Sequence, residues 1–295
     1  MKMLGASVAV AATLAATCIS AMANGPIAPY KDALFAYSPH TASTMQGRML
    51  DVPYDEMKDI NGRDSVPERR AQGKYVQELS RGLESDATIA TAKGDVTLRQ
   101  VGKSADPAFL VLFVHGRGGD RRLGMNDWTF GGNFNRLKNL AVRSDGLYLT
   151  MDAGALEASD AARAGEVLKA LSRQYPSAKH IVACGSMGGQ VCWSLAQNPA
   201  FAASLDGMVL LGASSSPAKV AGAVKARGGK ALPLLIAHGS NDRVYAMAGQ
   251  VETVEKTLAQ SPAYPIRFVG FDTGGHGTPI RMLDWRDTLN WLIAR

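Results

Sequence analysis

The second half of the chain alternates short apolar runs with longer amphipathic segments. Six runs of seven or eight residues are almost continuously apolar, as strands buried on both faces of a parallel sheet are. They are FLVLFVHG (109–116), GLYLTMD (146–152), HIVACGS (180–186), GMVLLGAS (207–214), LPLLIAHG (232–239) and IRFVGFD (266–272). Ahead of these runs, residues 87–102 alternate as two strands around a turn at Lys93-Gly94, which predicts an antiparallel hairpin.

Helical periodicity fills the gaps between the runs. Residues 159–176 begin with Ser159-Asp160 as a predicted cap, keep apolar side chains on one face and stop at Pro176. Residues 278–295 repeat the same spacing and predict a C-terminal helix, while Lys74 to Leu83 predicts a short one.

The order of strand, helix and strand predicts an α/β fold. We expect a mostly parallel, twisted sheet of about eight strands with helices on both sides. The main domain is predicted over residues 87–295, and residues 24–86 are expected to form a polar, irregular, solvated extension packed on it. In such sheets ligands bind beyond the carboxyl ends of the strands, so the residues that follow each apolar run have the greatest interest.

The first 23 residues have the pattern of a secretory signal peptide. Lys2 is followed by a run of small apolar residues to about Ile19, and Ala21-Met22-Ala23 fits the rule for cleavage after Ala23. The run is short for a bilayer span, which disfavours a membrane anchor. Thr17 is large for the position before a lipidated cysteine, which disfavours a lipoprotein. We therefore expect a periplasmic or secreted protein without stable membrane insertion.

Composition and charge exclude several classes of function. The formal charge of +6 is spread over scattered basic residues, so nucleic-acid binding is not predicted. No zinc spacing, acidic cluster or nucleotide-binding glycine pattern is present, and neither a metal nor a cofactor is expected. Cys184 and Cys192 both lie in predicted core, which favours buried thiols over a disulfide.

Chemically capable side chains stand at the ends of four predicted strands. His115-Gly116-Arg117 follows one run, Gly185-Ser186-Met187-Gly188 another, Asp242 a third and His276 a fourth. A serine hydroxyl is a weak nucleophile until a neighbouring base accepts its proton. Because the carboxyl ends of parallel strands meet at one edge, a serine, an acid and a histidine placed there predict a nucleophilic site.

These motifs resemble those of the α/β-hydrolase superfamily. The resemblance covers residues 87–295, and HGRGG (115–119), GSMGG (185–189) and GGHG (274–277) are most similar to small serine esterases, carboxylesterases, thioesterases and dienelactone hydrolases. One position departs from the G-x-S-x-G pattern of the superfamily, because Cys184 stands where the first glycine is usual.

The resemblance implies a role for each of these residues. Ser186 would be the nucleophile, His276 the general base and Asp242 its acid, with Asp272 and Asp152 as less favoured acids. The backbone N–H groups of Arg117 and Met187 would form the oxyanion hole.

His115, Gly116 and Gly188 would shape the loops around that oxyanion hole. No large lid fits between residues 213 and 232, so the site is expected to be open. Arg121, Arg122 and Arg243 lie near its mouth and are candidates to bind an anionic group of the substrate.

The resulting hypothesis is a serine hydrolase that cleaves carboxylic esters, with thioesters as a further substrate class. The substrate would be a small molecule or an ester attached to a polymer. Two alternatives stay open, a serine peptidase of the same fold and a non-catalytic binding protein on a hydrolase scaffold. The sequence leaves the oligomeric state undetermined.

Overall fold

The computed structural model describes residues 25–295, so the expected signal peptide lies outside the described residues. The strands are β1 (Ala42–Thr44), β2 (Met49–Val52), β3 (Asp64–Ser65), β4 (Arg70–Ala71), β5 (Ser85–Thr91), β6 (Gly94–Gly102), β7 (Phe109–Val114), β8 (Gly146–Met151), β9 (Lys179–Gly185), β10 (Gly207–Leu211), β11 (Leu234–Gly239) and β12 (Ile266–Phe271). The helices are α1 (Asp32–Phe35), α2 (Glu56–Arg63), α3 (Arg121–Met125), α4 (Asn133–Arg143), α5 (Ala158–Gln174), α6 (Gly189–Gln197), α7 (Pro199–Ala202), α8 (Pro217–Ala226), α9 (Met247–Gln260), α10 (Thr278–Met282) and α11 (Trp285–Ile293).

A single large sheet organises the part of the chain that the structure describes. Ten strands follow the order β1-β2-β12-β11-β10-β9-β7-β8-β6-β5. The run from β2 to β8 is parallel, whereas β1 at one edge and the β6–β5 hairpin at the other are antiparallel. The predicted hairpin and the six apolar strands are confirmed, but the predicted count of about eight strands is too low.

The continuous apolar runs are explained by burial on both faces of the sheet. Every residue of β7 is buried. Leu110, Leu112 and Val114 pack into the core on one face, and Val111 and Phe113 pack into the core on the other. A strand of this kind needs apolar residues at successive positions, and this explains the absence of polar alternation along it.

The two strands of the large sheet that the sequence did not predict, β1 and β2, come from the N-terminal segment, as does the separate β3–β4 pair. β2 pairs in parallel with β12, with Leu50 opposite Val269. Ile27 is fully buried, and its backbone N–H donates to Asn290 Oδ1 at 2.9 Å. The description of residues 24–86 as irregular and solvated is therefore wrong for these parts, and β5 already begins at Ser85. β1 and β2 have only three and four residues, too few for a period of two to stand out.

Two predicted helices differ from those observed in how they start or continue. α5 begins earlier than predicted, with Glu157, two residues before Ser159, as its N-cap in a capping box with Asp160. The single helix predicted from 278 to 295 is two helices, α10 and α11. Asp284 interrupts the helix because its side chain accepts hydrogen bonds from the backbone of Arg286 and Asp287 and so starts a new helix.

Two further expectations concern short segments. Between Lys74 and Leu83 the chain forms two 3-10 turns, Gly73–Tyr75 and Glu78–Leu83, in place of the predicted α-helix. α8 is the only helix between β10 and β11, as expected for a chain without a large lid there. Within residues 25–295, no helix has the length and apolar character needed to cross a bilayer.

Cys184 and Cys192 form a disulfide, so the expectation of two buried thiols is wrong. Both residues are fully buried, as predicted, but the sharp turn between β9 and α6 folds one back on the other. Their Cα atoms lie 6.2 Å apart, within the reach of a disulfide. Spacing along the chain does not reveal this turn geometry, which explains the wrong prediction.

The disulfide is expected to stabilise the protein modestly. It spans a sequence separation of 8 residues, a short loop that removes little entropy from the unfolded chain. We expect Cys184→Ala/Cys192→Ala to lower the free energy of unfolding by about 2 to 3 kcal/mol in urea titrations. Dithiothreitol should lower the midpoint of the wild type and leave that of the double variant unchanged. A wild-type midpoint that does not respond to the reductant would contradict the assignment.

Candidate active site

Ser186 occupies a strained turn between a strand and a helix. It follows β9 directly and begins a 3-10 turn, Ser186–Gly188, that leads into α6. Its φ of +51° lies in the left-handed region that non-glycine residues rarely adopt. Backbone strain of this kind persists only where the surrounding structure holds it, and it is concentrated at functional sites.

Two glycines allow the segments around Ser186 to approach closely. A Cβ atom on Gly188 would lie 2.3 Å from the carbonyl oxygen of His115, which no side chain tolerates. A Cβ atom on Gly116 would lie 3.0 Å from the Cβ of Ser186. The loop after β7 and the turn after β9 therefore meet backbone to backbone, and these two strands are neighbours in the sheet.

The structure brings Ser186, Asp242 and His276 together. His276 Nε2 lies 2.7 Å from Ser186 Oγ, and His276 Nδ1 lies 2.7 Å from Asp242 Oδ2. Because an ionised carboxylate only accepts hydrogen bonds, Nδ1 is the protonated nitrogen in this arrangement. The lone pair of Nε2 then points at the serine hydroxyl, which is the geometry that a general base requires.

Asp242 is held as a carboxylate by several donors. Its Oδ1 accepts hydrogen bonds from the backbone N–H groups of Val244 at 2.7 Å and Tyr245 at 3.1 Å. Burial opposes ionisation, but the hydrogen bonds from His276 and from these two N–H groups outweigh it. They hold the pKa of Asp242 below its ordinary value. His238 Nε2 also lies 3.1 Å from Asp242 Oδ2, a contact that the sequence did not predict.

The alternative acids do not reach His276. The carboxylate of Asp152 is engaged by Arg121, to which it is ion-paired. Asp272 is exposed, and its Oδ1 accepts a hydrogen bond from the backbone N–H of Thr273 at 2.9 Å. Of the three aspartates considered, Asp242 is the one that contacts the imidazole.

His115 shapes the loop after β7. Its Nε2 accepts a hydrogen bond from the backbone N–H of Ala153 at 3.0 Å, which leaves Nδ1 as the protonated nitrogen. Nδ1 lies 2.7 Å from the carbonyl oxygen of Gly116. The buried imidazole thus ties the Gly116 turn to the loop after β8.

Arg117 and Met187, the residues predicted to supply oxyanion donors, lie on the two loops that meet at Ser186. Arg117 Nε lies 3.2 Å from Met187 Sδ, so their side chains are in contact across the site. The donation of their backbone N–H groups to a substrate oxygen stays a prediction.

The three arginines considered as anion contacts differ in their surroundings. Arg121 is ion-paired with Asp152, and Arg122 is ion-paired with Asp120. Arg243 forms no ion pair among residues 25–295. It lies instead in the wall of a recess beside His276.

This recess has a volume of about 640 Å³ and contains a residue from the N-terminal segment. Glu56, the first residue of α2, places a carboxylate oxygen 3.5 Å from the position that a Cβ on Gly275 would occupy. The other residues of the wall are Asn241, Asp242, Arg243, Val244, Gly275 and His276. The sequence does not reveal Glu56, because residues 24–86 carry no motif. Only the tertiary fold brings α2 to the recess.

Comparison with known proteins assigns the fold. No family model matches the chain, and no curated protein matches it. By structure it is similar to the Pyrococcus furiosus esterase Pf2001, with 14% identity, coverage of 72% of this chain and 90% of that chain, and a TM-score of 0.53. It is also similar to a proposed α/β hydrolase from Agrobacterium tumefaciens, with 16% identity, coverage of 70% and 93%, and a TM-score of 0.50.

This chain has the α/β-hydrolase fold. A thermostable esterase also matches, with 16% identity, coverage of 72% of this chain and 63% of that chain, and a TM-score of 0.55. Among the residues that the structure describes, no group of three or more His, Cys, Asp or Glu side chains could hold a metal ion.

Whether activity requires the close approach at Gly188 can be tested by adding a single methyl group there. Gly188→Ala places a Cβ against the carbonyl oxygen of His115, so the turn must shift and displace Ser186. Displacements of about 1 Å at a reacting group can lower rates about a hundredfold, and we expect a loss of that size in kcat/KM for a chromogenic ester. Gly249→Ala in α9, where nothing lies within 4 Å, is the matched control and should retain full activity. Equal activities of the two variants would show that the approach is not required.

Proposed function

We propose that this protein is a serine hydrolase that cleaves carboxylic esters, with thioesters as a further substrate class. The observation that carries the proposal is the continuous hydrogen-bonded path from Asp242 Oδ2 through His276 to Ser186 Oγ. This arrangement supplies the nucleophile, a base for its proton and a carboxylate that orients the base. The strained turn at Ser186 and the fold shared with esterases also support it.

The first half of the proposed reaction forms an acyl-enzyme. As Ser186 Oγ attacks the carbonyl carbon, its proton passes to His276 Nε2, and Asp242 stabilises the imidazolium. The tetrahedral intermediate collapses when Nε2 returns that proton to the leaving alkoxide or thiolate. Ser186 then bears the acyl group, and the alcohol or thiol departs.

The second half releases the acid. Water takes the place of the leaving group and gives a proton to His276 Nε2 as its oxygen attacks the acyl carbon. The proton then returns to Ser186 Oγ, and the carboxylic acid departs. In both halves the N–H groups of Arg117 and Met187 are the proposed oxyanion donors, each worth about 3 kcal/mol in such sites.

The proposed site of action is the periplasm or the exterior of the cell. The signal-like N-terminus motivates this proposal, and the Cys184–Cys192 disulfide supports it, because disulfides persist in oxidising compartments. The substrate is proposed to be a small or polymer-attached ester that reaches an open site, since α8 is the only helix between β10 and β11.

Removal of the nucleophile tests the proposal directly. Ser186→Ala should lower kcat by about a millionfold for p-nitrophenyl acetate, because no other group can form the acyl-enzyme. A fluorophosphonate probe should label the wild type at Ser186 and leave the variant unlabelled, as read by peptide mass spectrometry. Ser215→Ala, a buried serine in the loop after β10, is the control and should be labelled normally.

The outcomes separate the candidate functions. Labelling and ester turnover that both require Ser186 support the proposal. Turnover of peptide amides with no turnover of esters would identify a peptidase. A folded wild type that is neither labelled nor active on any ester would identify a binding protein.

Arg243 and Glu56 give the recess beside His276 opposite charges on different elements. Neither residue is ion-paired within the described range, and both are exposed. An anionic substrate group in the recess would be attracted by the guanidinium of Arg243 and repelled by the carboxylate of Glu56. We propose that Arg243, and not Arg121 or Arg122, is the anion contact, since the last two already have carboxylate partners.

A pair of opposed substitutions tests the charge of the recess. For a succinate monoester, Arg243→Ala should raise KM several-fold and Glu56→Gln should lower it, while KM for a neutral ester stays unchanged. Arg122→Ala, which removes an exposed arginine outside the recess, is the matched control. Equal effects of Arg243→Ala on neutral and anionic esters would contradict the role. The changes in KM for the succinate monoester should be smaller at 300 mM salt than at 10 mM salt, because salt screens the charges.

A further inference from the structure

Arg63, the last residue of α2, is a buried cation that differs from the other buried cations. It is 6% exposed, and four more lysines and arginines are buried in the part of the chain that the structure describes. Each of those four is ion-paired with at least one carboxylate. The pairs are Arg136 with Asp32 and Asp284, Lys138 with Glu84 and Asp127, Arg267 with Asp287, and Arg281 with Asp64. Arg63 forms no ion pair with any residue from 25 to 295.

The contacts that Arg63 does make carry no net negative charge. Its Nη1 donates a hydrogen bond to the carbonyl oxygen of Arg281 at 2.8 Å. Its Cζ lies 5.0 Å from the centre of the Phe35 ring and 5.8 Å from that of the Tyr75 ring, and such cation–π contacts attract a cation without neutralising it. A buried charge is costly unless an opposite charge is paired with it, so the guanidinium of Arg63 lacks a counterion.

The titratable groups around Arg63 do not supply the missing negative charge. Burial lowers the pKa of Arg63 to about 10, and the positive charges of Arg281 and Arg136 act in the same direction, whereas Tyr75 and Asp59 oppose them. The guanidinium therefore stays protonated at neutral pH. The carboxylate of Asp59 accepts a hydrogen bond from the backbone N–H of Asp55 at 2.8 Å and forms no ion pair with Arg63.

Arg63 lines a second recess, which we call the Arg63 recess. Its volume is about 220 Å³, below the range of about 300 to 1,000 Å³ that is usual for pockets of drug-sized ligands, so it suits a small molecule. Much of the wall is apolar and comes from Leu34, Val52, Pro53, Tyr75 and Met282. Among the described residues of this wall, Arg63 is the only cation and Asp59 the only anion.

The guanidinium has donors to offer a ligand in this recess. Nε and Nη2 of Arg63 donate to no group of residues 25–295, and neither atom is fully buried. A planar guanidinium with free donors binds a carboxylate through two parallel hydrogen bonds. A carboxylate in the Arg63 recess would therefore supply the counterion that the other buried cations receive from the protein.

We propose that the Arg63 recess binds a small monocarboxylate with a short apolar chain. The carboxylate would pair with Arg63, and the chain would contact the apolar wall. The negative charge of Asp59 in the same wall disfavours a dianion such as phosphate. The proposal does not rest on the proposed function, although the acid that is released from a short-chain ester belongs to this class of ligand.

Butyrate binding to the full chain tests the proposal. Calorimetric titration with sodium butyrate at constant ionic strength should show saturable binding to the wild type. Arg63→Met keeps an apolar side chain and removes the charge, so it should weaken the affinity at least about tenfold. Arg243→Ala, which removes the cation of the recess beside His276, is the matched control and should leave the affinity unchanged.

Two further variants leave Arg63 in place, so they keep the test independent of the folding of Arg63→Met. Ala36 is exposed and lines the Arg63 recess, and Ala36→Trp should weaken butyrate binding because the indole fills part of the recess. Asp59→Asn should strengthen butyrate binding several-fold, because it removes a repulsive charge. Butylamine, a cation with a similar chain, should not bind.

Several results would overturn the proposal. The absence of saturable butyrate binding to the wild type does so, as does an affinity that Arg63→Met and Ala36→Trp leave unchanged. Phosphate that competes with butyrate and binds as tightly would contradict the assignment to monocarboxylates. An affinity that falls in Arg243→Ala and not in Arg63→Met would place butyrate in the recess beside His276 instead.

Discussion

The contact between the backbone at Gly188 and the carbonyl oxygen of His115 is the constraint on which the site depends. These segments follow β9 and β7, which are adjacent parallel strands, so their loops leave the sheet side by side. A side chain at Gly188 would separate them. Their close approach holds Ser186 at the carboxyl end of β9, in a backbone conformation that a free chain would seldom adopt.

A disulfide lies beside this turn, at the position where the chain departs from the G-x-S-x-G pattern. Cys184 occupies the position where the G-x-S-x-G pattern has a small residue, because strand and helix approach closely there. In this chain Cys184 is bonded to Cys192 on α6. The same bond joins β9 and α6, the two elements that flank Ser186.

The buried carboxylate of Asp242 shows how the fold supports a charge within its interior. Removing a carboxylate from water is costly unless hydrogen bonds replace the lost hydration. Here the donors come from two N–H groups of its own turn and from His276. The loops that follow the strands bring the three catalytic candidates together, although Ser186 and His276 are 90 positions apart in the sequence.

The sequence alone determined the fold class and the three proposed catalytic positions. Continuous apolar runs identify doubly buried strands, and the carboxyl ends of parallel strands share one edge. Contacts between distant segments were decided only by the tertiary structure. β2 became an inner strand by pairing with β12, and Glu56 and His238 reached the site through packing. Cys184 and Cys192 lie within bonding distance because the chain reverses between β9 and α6. Local periodicity indicates whether a residue is buried, but it does not indicate which residue it contacts. That contact depends on the folding of the whole chain.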